Sequence, residues 1–235
     1  GSPEALRAAM QGVRAVIHLA GCTTDADMEA QIDGNIRGAW NVFEAARDAG
    51  VERVVFASSH HVVGYYPRQR RIGTEVLLRP DSRYGLTKAF GEQVGAMFAD
   101  KYGLRVMCVR IGFVEERPVD QRRLSIWSSW RDLAQLVRIG LNHPQLRYEV
   151  VYGVSGNARA IARTAAVRGL LTTARRRGPT VELDQYGVEA RDRRSACQGG
   201  AHHGFADAAL PGHDGHPACS EEARRIHSSF LGGAR

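Results

Sequence analysis

Tyr84 and Lys88 stand four residues apart in Tyr84-Gly85-Leu86-Thr87-Lys88, a spacing that sets both on one face of a helix, one turn from each other. The residue types matter as much as the spacing. A phenol titrates near ~10 and is a poor base at neutral pH, but an ammonium beside it favours the phenolate and brings it toward a useful range. Such a tyrosine can take the proton from an alcohol. Ser59 follows the run Val54-Val55-Phe56-Ala57-Ser58, and its hydroxyl, at the tip of an adjacent strand, could hold the oxygen that gives the proton up. Tyr-x-x-x-Lys alone is short and common on helix surfaces, so its weight rests on the elements that carry it.

Those elements alternate. Ala15-Val16-Ile17-His18-Leu19-Ala20 is a continuous apolar run closed by Gly21, suited to a strand buried on both faces. Residues 25–49 carry Ile32, Ile36, Trp40, Phe43 and Ala46 at helical spacing and stop at Gly50. Residues 54–58 form the next strand. A Gly, Tyr and Pro loop leads to a helix over 81–102, stopped by Gly103, then a strand over 104–110. A charged loop, a helix over 131–141 and a strand over 148–152 complete the pattern. The expected fold is α/β, a Rossmann-like parallel sheet with helices on both faces.

Residues 1–157 form the expected catalytic domain. From 158 to 235 Arg, Ala, Gly and His dominate without a period of 3.6 or 2, and this tail is expected to be irregular, of frameshifted or unrelated origin. The chain of 235 residues is 43% hydrophobic and 24% charged, which excludes disorder or a fibrous repeat for the chain as a whole. Its net charge of +7 would suggest nucleic acid, yet Arg175-Arg176-Arg177, Arg191, Arg193 and Arg194 put the densest positive charge in the tail. No specific nucleic-acid partner is expected. No run approaches the ~20 apolar residues of a membrane helix, and Gly1-Ser2-Pro3 leads into a polar helix instead of a signal peptide. The four cysteines show no Cys-x-x-Cys spacing, and a reducing cytoplasm is the simplest location. Cys197, His202, His203, His213, His216 and Cys219 match no compact zinc motif, so no metal is expected.

Strand, Ser58-Ser59, the loop Gly64-Tyr65-Tyr66-Pro67, then Arg79-Pro80-Asp81-Ser82-x-Tyr84-Gly85-x-x-Lys88 resembles the extended short-chain dehydrogenase/reductase superfamily, which includes the NAD-dependent sugar epimerases and dehydratases. The resemblance runs over roughly residues 3–157. His18-Leu19-Ala20-Gly21 is similar to the family's strand and turn beside the cofactor ribose, Asn35 in Asn-Ile-x-Gly to its helix asparagine, and Arg110-Ile111-Gly112 to the end of its next strand. The segment from Phe56 to Pro67 is most similar to the uronate dehydrogenases, which oxidise hexuronic acids at C1 to aldarolactones.

That resemblance implies NAD as cofactor and a small sugar acid as substrate. Tyr84 would take the C1 hydroxyl proton, Lys88 would lower the tyrosine pKa and hold the nicotinamide ribose, and Ser59 would orient the reacting oxygen. Leu19, Ala20, Gly21, Asn35 and Ile111 join Tyr84 and Lys88 on the cofactor side. Thr23, Ser59, His60, His61 and Arg122 fall on the substrate side, Arg122 to grip the carboxylate in a bidentate pair, with Arg123 as its alternative. The family also implies a homo-oligomer formed through the two long helices. Two other readings stay open: a sugar-nucleotide epimerase or dehydratase, and a noncatalytic relative.

The chain departs from the family in three places. It has no Gly-x-x-Gly-x-x-Gly turn, the motif whose backbone amides bind a dinucleotide pyrophosphate. The first strands and that Gly-rich loop, about 50 residues of a nucleotide fold, are therefore expected to be lacking, and NAD binding by these 235 residues to be weak or nil. Phe113 stands where relatives carry a small polar residue. The tail replaces the aromatic and acidic residues that would follow Asn157.

Overall fold

A computed structural model describes residues 2–23, 26–67 and 70–156, without the side chains of Gln121 and Arg122. The expectations for the tail after residue 157 lie outside the described residues. Four strands, β1 (Ala15–His18), β2 (Arg53–Ser59), β3 (Arg105–Ile111) and β6 (Tyr148–Gly153), form one sheet in the order β1-β2-β3-β6, and every pairing is parallel. Two short strands, β4 (Phe113–Val114) and β5 (Trp127–Ser128), pair beside it. The helices are α1 (Pro3–Ala9), α2 (Met28–Gln31), α3 (Gly38–Asp48), α4 (Arg83–Tyr102), α5 (Gln121–Leu124) and α6 (Trp130–Asn142).

The strand period of two separates the core into layers. Val54, Phe56, Val106 and Cys108 pack on one face with Val42, Phe43 and Ala46 of α3 and Val94 and Phe98 of α4. Val55, Met107, Val109 and Val151 pack on the other with Leu133, Leu136 and Val137 of α6. Helices thus cover both faces, as the alternation predicts. β2 is buried at every position because it is flanked on both sides and covered on both faces, which is why it reads as an almost unbroken apolar run. β1 lies at the edge of the described sheet, and its Ile17 is exposed.

Local chemistry sets the ends of the elements. Ser82 Oγ accepts from the Gly85 amide at 3.0 Å, so α4 begins at Arg83 instead of residue 81. β1 closes at His18, two residues before the end of its apolar run. The helix expected over 25–49 starts at Met28 and contains a π-helical turn, Ile32–Arg37, between α2 and α3. Periodicity carries no sign of that turn. Such insertions recur at functional sites, and this one holds Asn35. Among the described residues no helix is long and apolar enough to cross a membrane, and no group of three or more His, Cys, Asp or Glu side chains is placed to hold a metal ion.

Candidate active site

The carboxyl ends of β1, β2 and β3 meet the first turns of α4, the end of a parallel sheet where ligands of such folds bind. The turn after β1 is the first wall. Gly21 has φ 153°, a conformation that side chains rarely adopt, and a Cβ there would come within 2.5 Å of Asn35 Oδ1 and 3.3 Å of Lys88 Nζ. Only glycine lets this backbone approach both groups. Asn35 fastens the turn: its Oδ1 accepts from the Cys22 amide at 2.7 Å, and its Nδ2 donates to the Cys22 carbonyl at 3.1 Å. The same Nδ2 donates to Thr87 Oγ1 at 2.9 Å, and Thr87 Oγ1 donates to the Tyr84 carbonyl at 2.9 Å.

Tyr84 and Lys88 share the inner face of α4, as their spacing predicts. Lys88 is buried, with Nζ 5.6 Å from the centre of the Tyr84 ring and 5.3 Å from that of Phe56. Burial pushes its pKa down to about 8, within range of the charge needed to favour a neighbouring phenolate. His18 is buried next to it, and burial, then the Lys88 charge, lower its pKa to about 3. That imidazole is neutral and adds no competing charge at physiological pH.

The pair Ser58-Ser59 splits its work. Ser58 Oγ donates to Glu92 Oε1 at 2.6 Å, inside a buried group in which the Arg110 guanidinium meets both Glu92 oxygens at 2.9 Å. Arg110 also donates to the Thr74 carbonyl and to Tyr152 Oη, both at 3.3 Å. Ser59 ends β2, paired in register with Ile111, and its Oγ accepts from the His61 amide at 3.3 Å. His60 Nδ1 lies 3.2 Å from the Ile111 carbonyl, which can only accept. His61 Nδ1 lies 2.8 Å from Asp81 Oδ1, and its ring stands edge-on to Tyr84 with centroids 5.8 Å apart.

A model of the NAD dependent epimerase/dehydratase family matches residues 2–116, which include every group just named except Tyr152. Uronate dehydrogenase of Pseudomonas putida is 41% identical over 153 residues, 65% of this chain and 57% of its own length. The NAD-dependent glucose-6-phosphate dehydrogenase of Haloferax volcanii is 39% identical over 185 residues and covers 70% of each chain. The chain belongs to the NAD dependent epimerase/dehydratase family. A solved uronate dehydrogenase of Agrobacterium tumefaciens, a tyrosine-to-alanine variant complexed with NAD, superposes with a TM-score of 0.70 at 37% identity, covering 72% of this chain and 64% of that one. The chain spans less than two thirds of the Pseudomonas putida enzyme and of the Agrobacterium tumefaciens structure.

In this member of the epimerase/dehydratase family the structure brings Gly21, Asn35, Ser59, His60, His61, Tyr84, Lys88 and Ile111 to one end of the sheet. Leu19 and Ile111 line a small apolar cavity of about 10 Å³ beneath it, with Val55, Phe56 and Ala57. Ala20 and Thr23 are exposed on the turn around Gly21. Arg122 falls in α5, and its side chain lies outside the described residues. Its alternative, Arg123, donates to Asp120 at 3.0 Å and lies over the Phe113 ring at 5.0 Å, so Phe113 serves as an arginine platform. Sequence reasoning missed Thr87, Asp81, Glu92 and the side chain of Arg110. Asp81 and Thr87 sit inside the motif around Tyr84, but their partners, His61 and Asn35, are 20 and 52 residues away.

Proposed function

We propose that residues 1–157 are the catalytic part of an NAD-dependent dehydrogenase that oxidises a hexuronic acid at C1 to its aldarolactone. The observation that carries this reading is the placement of Lys88 Nζ 5.6 Å from the Tyr84 ring at the carboxyl ends of β2 and β3. The likeness to uronate dehydrogenases of Pseudomonas putida and Agrobacterium tumefaciens supports the sugar-acid substrate.

The residues fit the nicotinamide-ribose half of NAD. Gly21 leaves backbone room beside Lys88, in a cradle that a Cβ would fill. For the pyrophosphate half, the 235 residues contain no Gly-x-x-Gly-x-x-Gly, the motif whose backbone amides hold that group. Bound NAD supplies the acceptor for the C1 hydride. Tyr84, as phenolate, takes the proton of the C1 hydroxyl as the carbonyl of the lactone forms. The Lys88 ammonium, 5.6 Å from the Tyr84 ring, stabilises that phenolate and holds the ribose hydroxyls. Ser59 Oγ holds the C1 oxygen, and His60, His61 and Thr23 take the remaining hydroxyls. Arg122 pairs with the substrate carboxylate. Leu19, Ala20, Gly21 and Ile111 line the cofactor side, where Asn35 keeps the turn in place.

Helices α3 and α4 present Trp40, Leu86, Phe90 and Met97 as exposed apolar side chains, and a second copy of the chain is the occupant that the homo-oligomer reading assigns to them. The test of function is NADH formation from NAD with glucuronate and galacturonate, compared with glucose 6-phosphate and a UDP-sugar. The uronates are expected to reduce NAD. Reduction by glucose 6-phosphate alone would favour the second reading, which the 39% identity to the Haloferax volcanii enzyme supports. Conversion of the UDP-sugar without net NADH would mark an epimerase.

A further inference from the structure

Asp81 is nine-tenths buried at its side chain, and its Oδ1 takes two hydrogen bonds: His61 Nδ1 at 2.8 Å and Ser82 Oγ at 3.1 Å. Burial alone would raise the carboxyl, but the hydrogen bond and charge of His61 and the bond from Ser82 take it below its ordinary value. It is a carboxylate at neutral pH. A carboxylate only accepts, so the proton of this bond sits on His61 Nδ1, and in the neutral imidazole Nε2 carries the lone pair.

The surrounding backbone is shaped to hold this pair. The Asp81 amide donates to the His61 carbonyl at 3.2 Å. Glycine at 64 leaves the space that the Asp81 carboxylate fills, since a Cβ there would overlap Oδ2. Glycine at 85 lets α4 approach the His61 carbonyl, which a Cβ would meet at 2.5 Å. Two glycines, one in each segment, thus serve the same contact. The His60 ring lies against that of His61, tilted by 36° with centroids 4.2 Å apart, and His60 is itself tied to the Ile111 carbonyl, which steadies the His61 ring.

We propose that Asp81 is a positioning residue that fixes His61 in its Nδ1–H tautomer beside Tyr84, making Nε2 an acceptor for a sugar hydroxyl and not a donor to the carboxylate. This rests on the reading that the sugar binds beside Tyr84. Asp81 reaches the substrate only through His61, as a buried aspartate holds the tautomer of a catalytic histidine in other enzymes. The isosteric Asp81→Asn variant keeps the side-chain shape and offers an amide that can donate to Nδ1, which turns the imidazole toward Nε2–H.

The experiment is imidazole 15N NMR of the full chain at a pH where free imidazole is neutral, with the His61 signals assigned by loss in His61→Gln. The wild type is expected to show a protonated Nδ1 and an unprotonated Nε2 at His61. Asp81→Asn is expected to move His61 toward the Nε2–H pattern. An Nε2–H wild type, or an unchanged tautomer in Asp81→Asn, would overturn the proposal. Kinetics supply the second readout: KM for the sugar rises about tenfold in Asp81→Asn while kcat falls less. An unchanged KM with only a lower melting temperature would reduce Asp81 to a structural staple. Absence of NADH with every sugar would instead overturn the functional reading, and the NMR result would still decide the role of Asp81.

Discussion

Asn35 and Thr87, 52 residues apart, share a buried 2.9 Å hydrogen bond that joins the turn at Gly21 to the helix carrying Tyr84 and Lys88. Through this bond the Gly21 turn and the first turns of α4 are tied together. Thr87→Val preserves shape and removes the acceptor, leaving a buried amide donor with one partner fewer. The expected cost is about 1–3 kcal/mol of unfolding free energy, measured by urea denaturation, with a fall in NADH formation larger than the fraction unfolded explains.

Tyr84→Phe tests the base directly. Loss of the phenol is expected to lower kcat by about 10²–10⁴. The melting temperature should stay close to wild type, because the Tyr84 ring is only half-buried and the ring itself is kept.

Lys88 gives function and stability opposite signs. Its pKa falls from an ordinary 10.5 in the unfolded chain to about 8 in the fold. The unfolded chain therefore binds the proton more tightly, and this group destabilises the fold fully below pH 8, with the cost released as pH rises from 8 to 10.5. Lys88→Met should abolish NADH formation yet raise stability at neutral pH, by up to roughly 3 kcal/mol. The difference between the two proteins in denaturation midpoint should vanish above pH 10.5. A variant less stable than wild type at pH 7 would contradict this account.

Arg110 and Glu92 are both almost fully buried, at 2% and 1% side-chain exposure, and they neutralise each other between β3 and α4. Arg110→Met leaves the Glu92 carboxylate in the core and is expected to cost about 3–5 kcal/mol. The double variant with Glu92→Leu should recover most of that loss, since two charges removed together leave neither uncompensated. A double variant no better than the single one would place the role of the pair in the loop at Gly73 and Thr74, which Arg110 and Tyr152 also hold.

Phe90→Lys, on the exposed apolar stripe of α4, is expected to shift the protein to monomer in sedimentation velocity without changing its fold. A wild type that is already monomeric at micromolar concentration would remove this surface from consideration.

Sequence and structure agree best where the information is local. The spacing of Tyr84 and Lys88 and the apolar runs of β2 and β3 act within one helical turn or one strand. The choice between Ser58 and Ser59 did not have that character. Both are small polar residues at a strand end, and only the strand's pleat sends one hydroxyl to the buried Glu92 and the other to the His61 amide. Asn35 was legible as a residue type but not as a tether, because a π-helical turn that periodicity does not announce sets its direction.

By itself the sequence determined the α/β class, the parallel sheet and the placing of Tyr84 and Lys88 on one face of a helix, because hydrophobic period and short motifs act over a few residues. Tertiary structure alone decided which polar groups meet: Asn35 with Thr87, Asp81 with His61, Glu92 with Arg110. Each of these contacts joins segments that lie far apart along the chain, and no local pattern encodes the direction in which a buried side chain must turn to satisfy a partner across the core.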